Sequence, residues 1–320
     1  MVSTKVVHFL QIKEFDMRVV FMGTPDYATI ILKEMINSGI QVPLVITQMD
    51  KPVGRKQILT PPHIKRWLIE NENDIEIYQP KTLKKKEVEE IISSYNPDFI
   101  VVAAFGQILP KNVLDIAPCI NLHASLLPKY RGASPIQASI LNNDIFTGVT
   151  AMLMEEGLDS GDILGFRFVE ILDKRVDSLF DELSYAAANL TINVLENFKQ
   201  IQPIGQVDAD TSYCIKIKKD NGLFSFDESS DEIFTKYRAY TPWPGIFLDN
   251  GLKIKEMRYI KNFTLYEETG IISEIGRDFI SVTCRVGLIK ILKLQAPSKK
   301  EIGVIDYIRG KRQGLGSKLV

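Results

Sequence analysis

The chain has only three cysteines in 320 residues, Cys119, Cys214 and Cys284, and they lie far apart. They form no C-x-x-C pair and give no zinc spacing, and the set is odd and sparse. Free thiols in a reducing compartment are expected, hence a cytoplasmic protein with no structural metal. No apolar run reaches the roughly 18–20 residues of a membrane span, so no membrane partner is expected. The chain also lacks charge of one sign. Its 39 Lys+Arg balance 40 Asp+Glu to a net −1, which removes a global field as a reason to bind nucleic acid. The balance is not even along the chain, however. Residues 221–320 hold 16 basic against 12 acidic residues, and residues 1–220 hold 23 against 28. The basic excess sits in one segment and hints at a partner there. Internal repeats and low-complexity tracts are absent. A dinucleotide fingerprint is absent too: "MGTPDYA" after the first apolar run has one glycine where that motif needs three.

What is present is an alternation of strand and helix patterns. "RVVFM" (18–22), "QVPLVIT" (41–47), "IEIYQ" (75–79), "DFIVVAA" (98–104) and "CINLHA" (119–124) are short apolar, β-branched runs and read as buried strands. Helical patterns separate them. After "RVVFM", Thr24 can cap a helix, Pro25 suits its first position and Gly39 its stop. Further helices fit 63–72, 83–95 and 177–199, and "TGVTAMLM" (147–154) and "ILGFRFVEI" (163–171) read as two more strands. The fold class expected is α/β: a Rossmann-like, mostly parallel sheet with helices on both faces. Pattern weakens over 201–220, a candidate linker, and resumes as a helix over 230–240. Short strands with turns at "DNG" (249–251) and "ETG" (268–270) then suggest β-barrel material. The expected organisation is an N-terminal extension (1–16), a catalytic domain (17–200), a linker (201–220) and a C-terminal barrel domain (221–320).

Ligands of such sheets lie beyond the carboxyl ends of the strands. Asn121 and His123 sit at one such end, two residues apart, so a pleated strand aims both to one side. Asn supplies a hydrogen-bond donor for a developing oxyanion, and neutral His can move a proton near pH 7. An acid could come from "GLDSGD", where Asp159 stands between glycines that permit a tight turn; Asp162 is its rival. Taken singly, each residue has a structural explanation: a hydrogen-bonded core histidine, an asparagine tied to loop backbone, an aspartate in a turn. Together, and with the sequence between them, they weigh against those separate explanations.

The surrounding sequence resembles a known family. "NLHASLLPKYRGASPIQ" followed by "TGVTAMLMEEGLDSGDIL" is similar to the signature of the formyltransferases that use 10-formyltetrahydrofolate. "FMGTPDYA", "TQMDKPVGR", "AYTPWPG" and "LQAPSKK" resemble the branch whose acceptor is a charged initiator tRNA, and the likeness runs from Met17 onward. The resemblance implies that Asn121, His123 and Asp159 are catalytic, with Asn121 stabilising the oxyanion, His123 moving the amine proton and Asp159 orienting His123 or relaying a proton. It implies that Ser125, Leu126, Leu127 and Pro128 bind the folate, and that Phe105, Gly106, Gln107, Ile108 and Leu109 receive its pterin ring, largely through backbone groups. It also implies that the C-terminal domain is an oligonucleotide-binding-type barrel, and that 10-formyltetrahydrofolate serves as formyl donor without a metal.

The stretch 47–62 is long for a strand-to-helix connection, and long loops tend to be functional. The resemblance places it near the acceptor end of the tRNA, with Arg55 on the family's key arginine beside Lys51 and Lys56. Gln57 and Ile58 follow where the family carries further lysines. Lys253, Lys255, Lys299 and Lys300 in the tail would bind phosphates without reading bases. Lys253 and Lys255 share a face if their strand is regular. Trp243 in "PWPG" is expected to pack after the helix rather than stack on a base. A monomer is expected. Other readings are a formyltransferase acting on a sugar amine or glycinamide ribonucleotide, and a non-catalytic RNA-binding protein.

Overall fold

The computed structural model describes residues 17–54, 56–72 and 74–319; the expected extension 1–16 and Arg55 lie outside the described residues. The chain groups into two compact units. The first comprises the chain up to Arg131, Gly148–Val169 and Asp181–Ser212, and the second Gly132–Thr147, Glu170–Phe180 and the chain from Tyr213. The division interleaves along the sequence, and residues 201–212 group with the first unit.

The chain begins with β1 (Arg18–Gly23), α1 (Asp26–Asn37), β2 (Gln41–Ile46), β3 (Lys51–Val53), β4 (Ile58–Thr60), α2 (His63–Asn71) and β5 (Glu76–Tyr78). It continues with α3 (Lys86–Ser94), β6 (Phe99–Ala103), α4 (Lys111–Leu114) and β7 (Cys119–His123). After the two-residue β8 (Arg131–Gly132) and α5 (Pro135–Leu141) come β9 (Phe146–Leu153), β10 (Ile163–Glu170) and the long α6 (Val176–Asn197). Seven strands form one sheet in the order β10-β9-β7-β6-β1-β2-β5. Neighbours from β7 to β5 are parallel and β9 joins β7 antiparallel. The central strands are buried on both faces, which is why they read as continuous apolar runs rather than alternating ones. On one side Val20 and Met22 of β1 meet Ile100 and Val102 of β6 and Val88 and Ile92 of α3. The alternate residues Val19, Phe21 and Val101 are equally buried.

From β1 the chain winds outward through β2 to β5, then returns to lay β6 on the other side of β1. The switch point is therefore between β1 and β6, where such sheets leave a crevice beyond the strand ends. Here local sequence meets tertiary demand. A Cβ on Gly23 would lie 2.4 Å from Ala28 Cβ, so only glycine lets β1 turn into α1. Thr24 does not cap that helix as expected. Pro25 occupies the cap position, and the Thr24 hydroxyl donates instead to the Phe105 carbonyl at 3.0 Å, joining the loops after β1 and β6 across the switch point. Gly39 ends α1 in a left-handed conformation, as its position suggests. The 47–62 connection is not an open loop: β3 and β4 pair as an antiparallel hairpin, Lys51 opposite Thr60.

The second unit holds β11 (Tyr213–Cys214), α7 (Ser230–Tyr240), β12 (Ile246–Phe247), β13 (Lys253–Leu265), β14 (Ile272–Ile275), β15 (Ile280–Thr283), β16 (Val286–Gln295), β17 (Ile302–Gly303) and α8 (Val304–Lys311). Its main sheet has the order β12-β13-β16-β15-β14, with β17 added to β16, and its neighbouring strands run antiparallel. This is the strand-rich unit the tail predicts, and Gly251 and Gly270 turn it with positive φ. Helix α7 starts with a reciprocal cap: the Ser229 hydroxyl accepts from the Glu232 N–H, and the Ser229 N–H donates to the Glu232 carboxylate. Serine followed three residues later by glutamate is the sequence signature of that start. Helix α8 stands where the tail pattern suggests none.

Candidate active site

Strand β7 ends at His123 and presents Asn121 and His123 one pleat apart. Register with β9, His123 opposite Thr150 and Asn121 opposite Met152, holds the strand end. Thr150 then fastens the chain beyond it. Its hydroxyl donates to the Ser125 carbonyl at 2.6 Å and accepts from the Leu127 N–H at 3.0 Å.

Asp159 reaches the same place from the β9–β10 connection. Its Oδ2 lies 3.6 Å from His123 Nδ1, and its Oδ1 lies 3.5 Å from Asn121 Nδ2, the donor of that pair. Asp159 has φ +51, a left-handed conformation that costs an ordinary residue about 1–2 kcal/mol and that Asp tolerates better than most. Of the glycines on either side, Gly161 is required for close approach to backbone, and Gly157 abuts a serine side chain. A Cβ on Gly161 would lie 1.7 Å from the Leu153 carbonyl oxygen, and one on Gly157 would lie 2.0 Å from Ser160 Oγ. Asp162, the rival acid, is exposed, and its carbonyl accepts from the Leu153 N–H.

His123 is 6% exposed. Its Nε2 is 2.9 Å from the Tyr130 carbonyl. A carbonyl only accepts, so Nε2 carries the proton and Nδ1 of the neutral ring is the acceptor. The Tyr130 carbonyl thus holds the Nε2 proton, and Nδ1 faces the Asp159 carboxylate at 3.6 Å. Tyr130 has φ +60 and donates its N–H to Ser212 Oγ at 2.9 Å. The Tyr130 hydrogen bond is made by backbone, so no side-chain pattern in the sequence marks it.

The candidate folate residues divide by burial. Phe105 and Leu109 are core residues, packed with the cluster under β1 and β6. Between them Gly106 is exposed with φ +83, Gln107 is half-buried and Ile108 is 82% exposed. Two buried anchors thus hold up a loop that exposes Gly106 and Ile108 between them. In the 125–128 turn, Ser125 is fully buried and donates to the Lys129 carbonyl, and Leu127 packs with Met152 and Ile163. Leu126 and Pro128 keep partial exposure. The side chains of Ser125 and Leu127 therefore shape the turn.

Lys51 and Lys56 are exposed on the β3–β4 hairpin. Gln57, at a position where the resemblance sets a further lysine, closes that hairpin by donating to the Gly54 carbonyl at 2.8 Å. At its root, Asp50 accepts from Gln79 Nε2 and from Lys65 Nζ, each at 2.9 Å. The Gln79 hydrogen bond, then that of Lys65, hold its carboxyl below the usual carboxylate range. In the second unit Lys299 and Lys300 are exposed. Lys253 and Lys255 are half-buried, and Lys253 Nζ is 3.4 Å from the Pro244 carbonyl. The regular strand assumed for their shared face is not present: the β13–β16 register shifts between Ile254 and Glu256 and again before Met257. Trp243 does not pack after α7 as expected; it is 59% exposed. Among the described residues no group of three or more His, Cys, Asp and Glu is placed to hold a metal, and no helix is long and apolar enough to cross a membrane.

Comparison with known proteins defines the class. Residues 17–195 match the family model for a formyl transferase, and residues 216–312 match that for the formyl transferase C-terminal domain. Among solved structures, an N-formyltransferase from Helicobacter canadensis, in complex with folinic acid and dTDP-3-aminofucose, shares the fold. It has a TM-score of 0.64 at 19% identity, covering 87% of this chain and 100% of that one. HypX from Aquifex aeolicus in complex with tetrahydrofolic acid has a TM-score of 0.62 at 14% identity, covering 95% of this chain and 49% of that one. Curated relatives are much nearer in sequence. The methionyl-tRNA formyltransferase of Nitratiruptor sp. is 55% identical over 301 residues, 94% of this chain and 99% of the relative. That of Campylobacter hominis is 50% identical over 303 residues, 95% of this chain and 100% of the relative. The chain belongs to the methionyl-tRNA formyltransferase family.

Proposed function

We propose that this protein transfers the formyl group of 10-formyltetrahydrofolate to the amine of methionyl-initiator tRNA, with Asn121, His123 and Asp159 as its catalytic residues. The observation that carries the chemistry is the convergence of the Asn121 carboxamide and the His123 imidazole on the two oxygens of one carboxylate. Identity of 47–55% to curated methionyl-tRNA formyltransferases supports the acceptor.

The methionyl amine attacks the formyl carbon and forms a tetrahedral oxyanion. Asn121 Nδ2 donates to that oxygen. His123, its Nε2–H engaged by the Tyr130 carbonyl, takes the amine proton through Nδ1 and returns it to the departing folate nitrogen. Asp159 stabilises the imidazolium formed in between, or relays the proton through water. The pterin ring enters over the backbone of Gly106–Ile108, and the 125–128 turn bounds the folate through Leu126, Pro128 and backbone. Lys51, Arg55, Lys56, Lys253, Lys255, Lys299 and Lys300 bind tRNA phosphates. The protein acts as a cytoplasmic monomer.

The test is to offer charged initiator tRNA, glycinamide ribonucleotide and a dTDP-amino sugar with the formyl donor. Formylation of the tRNA alone is expected. Modification of the sugar amine or the ribonucleotide instead would transfer the chemistry to another acceptor. No product in a single-turnover assay would leave an RNA-binding protein.

A further inference from the structure

The turn carrying Asp159 is gripped from outside. Gln206 lies 47 residues further along the chain, in the stretch the sequence presents as linker. Its Nε2 donates to the Asp159 carbonyl at 2.9 Å and to the Gly161 carbonyl at 2.8 Å. Its Oε1 accepts from Arg131 Nε at 3.0 Å and from Arg131 Nη2 at 2.8 Å. Arg131 is 5% exposed. The carboxamide has only one orientation that satisfies these partners. Guanidinium only donates and carbonyls only accept, so a flipped amide would set donor against donor and acceptor against acceptor. The segment around Gln206 is itself tied down. Ile204 and Ile163 exchange both backbone hydrogen bonds, at 2.8 and 3.0 Å, and the Arg131 N–H donates to the Ser212 carbonyl at 2.9 Å.

We propose that Gln206, oriented by Arg131, is a positioning residue that holds the Asp159 turn so that its carboxylate faces His123. The inference rests on Asp159 having a catalytic role. Gln206 brackets the left-handed residue: its two donors take the carbonyl of Asp159 and the carbonyl two residues on. Neither peptide group can rotate without losing a hydrogen bond to a half-buried carboxamide that the buried Arg131 guanidinium holds from its other end. A carboxylate displaced by an ångström costs on the order of 10²-fold in rate, with binding left intact, because the misplacement is felt only as the proton moves.

The experiment compares Gln206→Glu and Gln206→Met in the full chain. Glutamate keeps the length and the Arg131 pairing but turns an acceptor toward the two carbonyls. Methionine keeps the length and supplies no donor. Both should lower kcat about 10- to 100-fold, with KM for formyl donor and tRNA within about twofold of the parent. Thermal melting should show both variants fully folded at the assay temperature. The second arm places each substitution in an Asp159→Asn background. A residue acting through Asp159 should add little there, whereas an independent effect should multiply. A loss carried by KM, multiplicative losses in the double variants, or parent-like kcat in both single variants would overturn the inference. If Asp159→Asn alone retains parent-like kcat, the catalytic assignment of Asp159 has failed instead, which the Gln206 variants by themselves would not reveal.

Discussion

His123 Nε2 donates to the Tyr130 carbonyl at 2.9 Å, and this one hydrogen bond decides which nitrogen of the imidazole can act as a base. It leaves Nδ1 as the acceptor, directed at a carboxylate 3.6 Å away. Histidine at the end of a buried strand is thus neither a free side chain nor a core residue satisfied at both nitrogens.

That arrangement separates activity from stability in a mutational test. His123→Ala should lower turnover by about 10²–10⁴-fold, the range of a general acid–base group. It also removes the hydrogen bond that His123 gives the Tyr130 carbonyl, at a cost of about 1 kcal/mol. Asn121→Ala should lower turnover by roughly 10²–10³-fold, the cost of one oxyanion donor. Steady-state kinetics with thermal melting of the same preparations checks both. Near-parent turnover for Asn121→Ala removes it from the oxyanion role.

Gly161 offers a steric test of the Asp159 turn. Gly161→Ala would force its methyl against the Leu153 carbonyl oxygen, at 1.7 Å before relaxation. It should cost about 1–3 kcal/mol, as overpacking does, and reduce kcat because the turn must move. Gly54→Ala, in the hairpin with φ +72 and nothing within 4 Å of the new Cβ, should cost only about 1 kcal/mol of backbone strain. Denaturant titration of the pair distinguishes steric clash from backbone conformation.

Phosphate binding should appear as salt dependence. Activity at subsaturating tRNA should fall about tenfold or more between roughly 50 and 200 mM salt if a few lysines each displace counterions. Replacing Lys299 and Lys300 by Ala should raise KM for tRNA and leave KM for the formyl donor unchanged. The salt slope should become shallower by about 1 for each phosphate that is no longer neutralised. A salt-insensitive rate argues against these lysines as phosphate ligands.

The buried thiols give a pH dependence of stability. Burial pushes the Cys119 and Cys284 thiols up to about 12 in the folded chain, against roughly 8.5 when unfolded. A folded value raised above the unfolded one means that stability is whole below about pH 8.5 and is lost as pH rises toward about 12. The loss is roughly 1.4 kcal/mol per pH unit for each thiol. Urea midpoints from about pH 7 to pH 10.5 should fall, and Cys119→Ala should flatten the decline. An unchanged slope in that variant would take Cys119 out of the account.

Much of the frame is legible along the chain because it rests on local physics. Apolar β-branched runs announce β1, β6 and β7, and a serine with a glutamate three residues later announces α7. The hairpin at 51–60 is not legible in the same way. Each of its strands is three residues long, too short to establish a period, and Gln57 reads as a missing charge until it is seen closing the turn on Gly54. Thr24 misleads because a cap and a long-range tie use the same hydroxyl. Trp243 misleads because the flanking prolines say how its backbone is constrained and nothing of what surrounds its ring.

By itself the sequence determined the alternation of the main strands and helices, the emergence of Asn121 and His123 on one side of β7, and the chemistry available there. Pleat, periodicity and side-chain type are properties of neighbouring residues. Only the tertiary structure decided how near Asp159 comes to them, which imidazole nitrogen meets the Tyr130 carbonyl and what grips the Asp159 turn. Those answers depend on the Tyr130, Asp159 and Gly161 carbonyls and on residues as distant as Gln206. A carbonyl is the same at every position in a chain, so its partner is known only once the chain has closed on itself.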